Sequence, residues 1–116
     1  MLLRHATLAR NLASICRVGL LTSKSQGKLP AVWLHSPSCS AWAGWHTVRR
    51  HGGRIEGVVI LEINVPRSWL RRSKPGLWYC LRDIVPERIR GVVTFAALAG
   101  PSVDDPTQRT PLKAAC

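Results

Sequence analysis

Four side chains of zinc-binding type fall in one stretch: His35, Cys39, His46 and His51, in the order H-x3-C-x6-H-x4-H. Imidazole nitrogen and thiolate sulfur are the donors that zinc prefers. The first spacing suits a turn and the last a helix face. The full order matches no familiar zinc module, so separate polar and packing roles are the favoured reading and no metal is expected. Within this stretch, Ser38-Cys39-Ser40 sets a thiol close in sequence to His35. A reactive thiol needs a depressed pKa or a helix start beside it; neither is visible, and an inert buried cysteine is expected. The second constellation is basic. Arg67, Arg71, Arg72 and Lys74 form the densest run, Trp69 is interleaved, and Arg82, Arg88 and Arg90 follow. Guanidinium forks match phosphate oxygens, and an exposed indole stacks on a base. The run is a candidate for phosphate or nucleic-acid contact, beside the plainer reading of a solvated loop whose Trp69 and Leu70 pack inward. There is no G-x-S-x-G elbow, no Walker phosphate loop and no G-x-G-x-x-G.

The elements that must position these groups can be read from periodicity. Leu2–Thr7 reads as a short strand. Leu8, Leu12, Ile15 and Cys16 then fall at helical spacing, with Thr7 a plausible N-cap and Gly19 a stop. Ala31–His35 reads as a short buried strand. A second helix is expected through Trp42, Trp45, His46 and Arg49, capped by Ser38 or Ser40. Trp33, Trp42, Trp45 and Trp78 are expected in the core. Gly57–Val65 is the strongest strand, rich in β-branched residues and ended by Pro66. Arg67–Lys74 reads as a basic helical turn or loop, and Leu77–Asp83 as a strand. The turn 84–89 leads to a last strand, Val92–Leu98. The expected fold is α+β, a small split or curved mixed sheet of about five strands with about two helices, covering residues 1–99. Residues 100–116, with Pro101, Pro106 and Pro111 among polar residues, are expected to be a disordered tail.

Composition narrows the function classes. The chain has 116 residues, 46% hydrophobic and 20% charged, which suits one globular domain and excludes a coiled coil. Its 17 Lys and Arg against 6 Asp and Glu give a net charge of +11, which points to anionic partners. No apolar run reaches the length of about 18 residues that a membrane span needs, so no membrane partner is expected. Arg4, His5, Arg10 and Asn11 break up any secretory signal, and a cytoplasmic location is expected. The four cysteines contain no C-x-x-C pair and read as reduced thiols, mostly core filler.

The order of segments resembles ADP-ribosyltransferase-like domains. The likeness rests on Leu3-Arg4-His5-Ala6-Thr7, an H-x-T strand end, followed by Asn11-Leu12-Ala13-Ser14-Ile15 and Gly19-Leu20. Val32-Trp33-Leu34 resembles the second strand of that fold. Gly76–Ile89 resembles the late strand and V-P-P-E-Y-I turn of RNA 2′-phosphotransferases, which share the broad fold. The resemblance covers roughly residues 2–98 in element order and also favours a folded N-terminus over an acid-poor transit peptide. It implies NAD as cofactor and an ADP-ribose-type ligand or RNA as partner. His5 and Thr7 would bind the ribose beside nicotinamide. On a strand they project to one side, so one diol can meet both. Arg82, with His5 the expected catalytic pair, would face phosphate together with Arg67, Arg71, Arg72 and Lys74. The chain departs from the family in one respect. The late-strand glutamate of many ADP-ribosyltransferases has no counterpart, since Trp78 and Tyr79 stand about where it is sought and Glu87 belongs to the turn. RNA 2′-phosphotransferases lack that glutamate too, but this chain has no counterpart of their amino-terminal winged-helix lobe. A non-enzymatic basic binding module, or an inactive relative, is the alternative.

Overall fold

A computed structural model of the chain describes residues 1–25, 27–98 and 110–116. Its strands are β1 (Leu2–Leu8), β2 (Val32–His35), β3 (Val58–Asn64), β4 (Leu70–Lys74), β5 (Leu77–Cys80) and β6 (Ile89–Thr94). Its helices are α1 (Leu12–Val18), α2 (Ser40–His51), α3 (Phe95–Leu98) and α4 (Leu112–Ala115), joined in places by single 3-10 turns. The strands form one sheet in the order β4-β5-β2-β1-β3-β6. The class is α+β, as expected, but the sheet has six strands and every pairing is antiparallel, not mixed.

The additional strand is β4, which the basic run conceals. Only Leu70 of it is buried, while Arg71–Lys74 are exposed. An edge strand studded with cations resists pairing with another chain, so its sequence has no apolar alternation to read. Pro75 and Gly76 close the β4–β5 hairpin, and Gly76 takes φ +78°, the value a type II turn requires at that position. The last strand ends at Thr94, and Phe95–Leu98 coil into α3 instead of continuing it.

Both faces of the sheet are covered. Leu3, Val59, Leu61 and Ile63 point into a large cluster with Ile15 of α1 and Leu112 of α4. Val58, Ile60 and Leu8 point the other way, against Phe95 and Val48. That double burial is why β3 reads as an unbroken apolar run. Gly19, at φ +82°, ends α1 by donating its N–H to the Ile15 carbonyl at 2.8 Å. Helix α2 departs from the sequence reading. Its buried face is Ser40, Ala43, Gly44 and Thr47, while Trp42 and Trp45 are 52% and 44% exposed.

The expected loose tail is also corrected where it is described. Thr110 exchanges both backbone hydrogen bonds with Val92, Leu112 is buried, and Cys116 is disulfide-bonded to Cys16. Residues 100–109 lie outside the described residues. The pairing overturns the expectation of four reduced thiols, leaving Cys39 and Cys80 free. The reading of reduced thiols assumed a non-secreted chain, and disulfides persist in oxidising surroundings. Among the described residues, no helix is long and apolar enough to cross a membrane.

A candidate ligand cleft in the split sheet

β1 pairs with β3 at seven positions but with β2 at one, Arg4 opposite His35. Beyond that pair the two strands diverge. The opening is a cleft of about 760 Å³, with His5 and Thr7 on one wall and Val32–His35 on the other. α2 supplies its rim through Trp42, His46 and Arg50, and the segment after α1 contributes Lys24. The volume falls within the roughly 300–1,000 Å³ of small-molecule sites.

Hydrogen bonding sets the polarity of the two β1 side chains. His5 Nδ1 lies 2.6 Å from the Trp33 carbonyl oxygen. A carbonyl can only accept, so Nδ1 carries the proton and donates. Burial lowers the His5 pKa, and the bond to Trp33 only partly opposes it. At neutral pH the ring is therefore uncharged, and Nε2 carries a lone pair. Asn11 Nδ2 donates to Thr7 Oγ1 at 3.2 Å, so the Thr7 hydroxyl keeps its own proton to donate. An acceptor and a donor thus stand two residues apart on one strand face. That pair complements two vicinal hydroxyls, one donating and one accepting.

Behind this wall lies a buried polar layer. Arg4 Nη1 donates to Ser40 Oγ at 2.9 Å, and Arg4 Nη2 lies 3.7 Å from Glu62 Oε1. Ser40 passes the link on by donating to the Pro37 carbonyl at 2.8 Å. These contacts tie β1 to β3 and to the start of α2, which fixes the cleft wall. They also make Glu62 an ion-pair partner of Arg4. His35 is 3% exposed, and its Nε2 has no hydrogen-bond partner. Burial, then the nearby charges of His5 and Arg4, pushes its pKa down to about 4.

The cleft has further features that the sequence reading missed. Trp42 and His46, one helical turn apart, stack with ring centroids 5.3 Å apart and planes 12° from parallel. A half-exposed stack at a cleft rim is a platform for another planar ring. No Asp or Glu lines the cleft among the described residues, while Lys24 and Arg50 do. Asn11 lines the cleft and also holds Thr7, a link that needs β1 and the following turn in three dimensions.

The other expected site residues lie elsewhere. Arg71, Arg72 and Lys74 sit on the β4 edge, and Arg67 in the turn before it; all four are exposed, and none lines the cleft. Arg82 is not brought to His5 either. Its guanidinium carbon lies 4.2 Å from the Trp69 ring centroid, on which Arg88 also stacks at 4.4 Å. Trp69 packs partly against the core and holds two arginines, so its ring is not the open base platform expected. His35, Cys39, His46 and His51 do not gather, since no three metal-ligating side chains meet among the described residues. No protein-family model matches the chain, and a search of curated proteins returns no match.

Proposed function

We propose that the cleft binds an ADP-ribose-type ligand, NAD in particular, and that the domain is a transferase related to ADP-ribosyltransferases and RNA 2′-phosphotransferases. The observation that carries this reading is the polarity of the β1 wall, the His5 Nε2 acceptor beside the Thr7 hydroxyl donor. A ribose diol satisfies both at once. The cationic, carboxylate-free lining suits a diphosphate, and the Trp42–His46 stack suits a base or a nicotinamide ring. The opening between β1 and β2, which pair only at Arg4 and His35, supports the reading by leaving room for a ligand between the strands.

NAD, when bound, supplies an ADP-ribosyl group whose anomeric carbon is activated by the cationic nicotinamide leaving group. The chain's part is to orient. His5 and Thr7 fix the ribose, and its anomeric carbon with it, for attack by the acceptor. Lys24 and Arg50 offset the phosphate charge. The layer of Arg4, Ser40 and Glu62 holds β1 in register behind them.

The absence of a carboxylate among the described lining residues favours a second reading, binding without glycosidic cleavage. One experiment separates the two. Titration with NAD, followed by tryptophan fluorescence from Trp42, should show saturable quenching. Free nicotinamide, measured in the same samples by chromatography with an RNA acceptor present, should accumulate for a transferase and stay at background for a binding module. No fluorescence change and no calorimetric heat at millimolar NAD would sink both.

A further inference from the structure

Away from the cleft, Arg82 and Arg88 share one indole. Their guanidinium carbons lie 4.2 and 4.4 Å from the Trp69 ring centroid, and so within about 9 Å of each other. Two cations this close repel, and the ordinary remedy is a carboxylate. Among the described residues, none lies within ion-pair distance of either arginine. Asp83 is adjacent in sequence, but its Oδ1 accepts from Thr22 N and Oγ1 at 2.8 and 3.1 Å. Glu87 comes within ion-pair distance of neither arginine. Stacking occupies the faces of the two guanidinium groups and leaves their N–H edges unspent. An arginine ordered in this way is a prearranged fork for phosphate oxygens.

The surroundings decide between one phosphate and a chain of them. A shallow depression of about 300 Å³, lined by Ser68, Trp69, Arg71, Leu81 and Arg82, adjoins the stack. Arg67 of the same turn and Arg72 and Lys74 of the β4 edge are exposed as well, whereas Arg90 lies on β6 at the opposite edge of the sheet. Arg72 is itself ordered, 5.7 Å from the Trp78 ring centroid. Two ordered guanidinium groups on Trp69, with Arg71 lining the adjoining depression beside Arg82, match a repeating anion better than a single small one.

We infer that the face formed by β4, the Arg67–Trp69 turn and the Pro86–Arg88 turn docks the sugar-phosphate backbone of a single-stranded nucleic acid, with Arg82 and Arg88 as its fixed phosphate contacts. Trp69 acts here as the clamp that orders the two arginines and not as a base-stacking ring. The assignment does not depend on what occupies the cleft. It moves Arg82 from catalysis to docking.

The test is fluorescence anisotropy of labelled single-stranded RNA and DNA oligonucleotides between 50 and 200 mM salt. Each single-strand phosphate contact contributes about 0.7 to the slope of log affinity against log salt. Arg82→Ala/Arg88→Ala should lower that slope by about 1.4 and weaken binding at low salt by about tenfold or more. Arg49→Ala/Arg54→Ala removes the same charge from the end of α2 and the segment after it, outside the proposed face, and should leave the slope close to wild type. Trp69→Leu keeps both charges but frees the arginines, and an intermediate loss is expected. If that variant does not fold, the two arginine pairs still decide the matter. Equal losses from both pairs would mean general attraction by the net charge and would overturn the inference. So would no oligonucleotide binding at 50 mM salt, or binding only to phosphatidylserine vesicles. ADP-ribose titration of the Arg82/Arg88 variant should match wild type; its loss would contradict the separation of the two sites.

Discussion

Acidification from pH 7 to pH 4 should remove stability through His35. The side chain is 3% exposed, lies opposite Arg4 where β1 meets β2, and has no partner for Nε2. Burial first, then the charges of His5 and Arg4, pushes its pKa down to about 4. In the unfolded chain the same imidazole titrates near its ordinary value of about 6.5. Between these two values the unfolded state takes up a proton that the native state refuses. The contribution is therefore complete above about pH 6.5 and declines as the pH falls toward 4. At about 1.4 kcal/mol per pH unit, the gap corresponds to a loss of about 3 kcal/mol at pH 4. His5, whose pKa is also lowered, acts in the same direction. The assay is urea denaturation at intervals from pH 7 to pH 4, for wild type and His35→Gln. Subtracting one curve from the other removes the carboxylates common to both. The difference should shrink by about 2–3 kcal/mol across the window. Identical pH dependence in the two proteins, or wild type gaining stability in acid, would refute the placement of His35 as a neutral buried imidazole.

Three other perturbations have expected outcomes. Reducing the Cys16–Cys116 bond, which spans a sequence separation of 100, should cost at most about 4–5 kcal/mol. Urea midpoints with and without reductant read the loss, and Cys116→Ser should be insensitive to reductant. Gly44→Ala places a Cβ into the ring of Phe95, itself 1% exposed, so overpacking should outweigh the better helix propensity and cost about 1–2 kcal/mol, read as a lower melting temperature. Asn11→Ala releases the Thr7 hydroxyl from its fixed orientation and should weaken ADP-ribose binding several-fold, about 0.5–1.5 kcal/mol, with an unchanged melting temperature.

What the sequence made legible follows from local physics. β3 is an apolar β-branched run with one possible reading, and α1 carries its own stop at Gly19. His5 and Thr7 could be placed on one face of a strand because the strand period alone decides it. The misreadings come from long-range packing. Trp42, Trp45 and Arg49 look like the inner face of α2 by size, but Gly44 and Ala43 let the helix approach Phe95 and the sheet closely, so the small face is buried and the indoles turn outward. β4 was hidden because an edge strand needs only one buried residue, Leu70. Pro-rich polar composition hid Leu112 and Cys116, whose partners lie almost a full chain length away. Arg82 adjoins the basic run in space and not His5, a distinction set by how β5 leaves the sheet.

The central claim is that the β1 wall of the cleft recognises a ribose, and isothermal titration of ADP-ribose into wild type and His5→Ala tests it most directly. Wild type should give saturable heat. The variant should keep its melting temperature and bind several-fold to some tens-fold more weakly, the equivalent of losing one hydrogen bond of about 0.5–1.5 kcal/mol plus the cost of an unpaired hydroxyl. Equal affinity in the two proteins, or no heat from wild type at millimolar ligand, would contradict it.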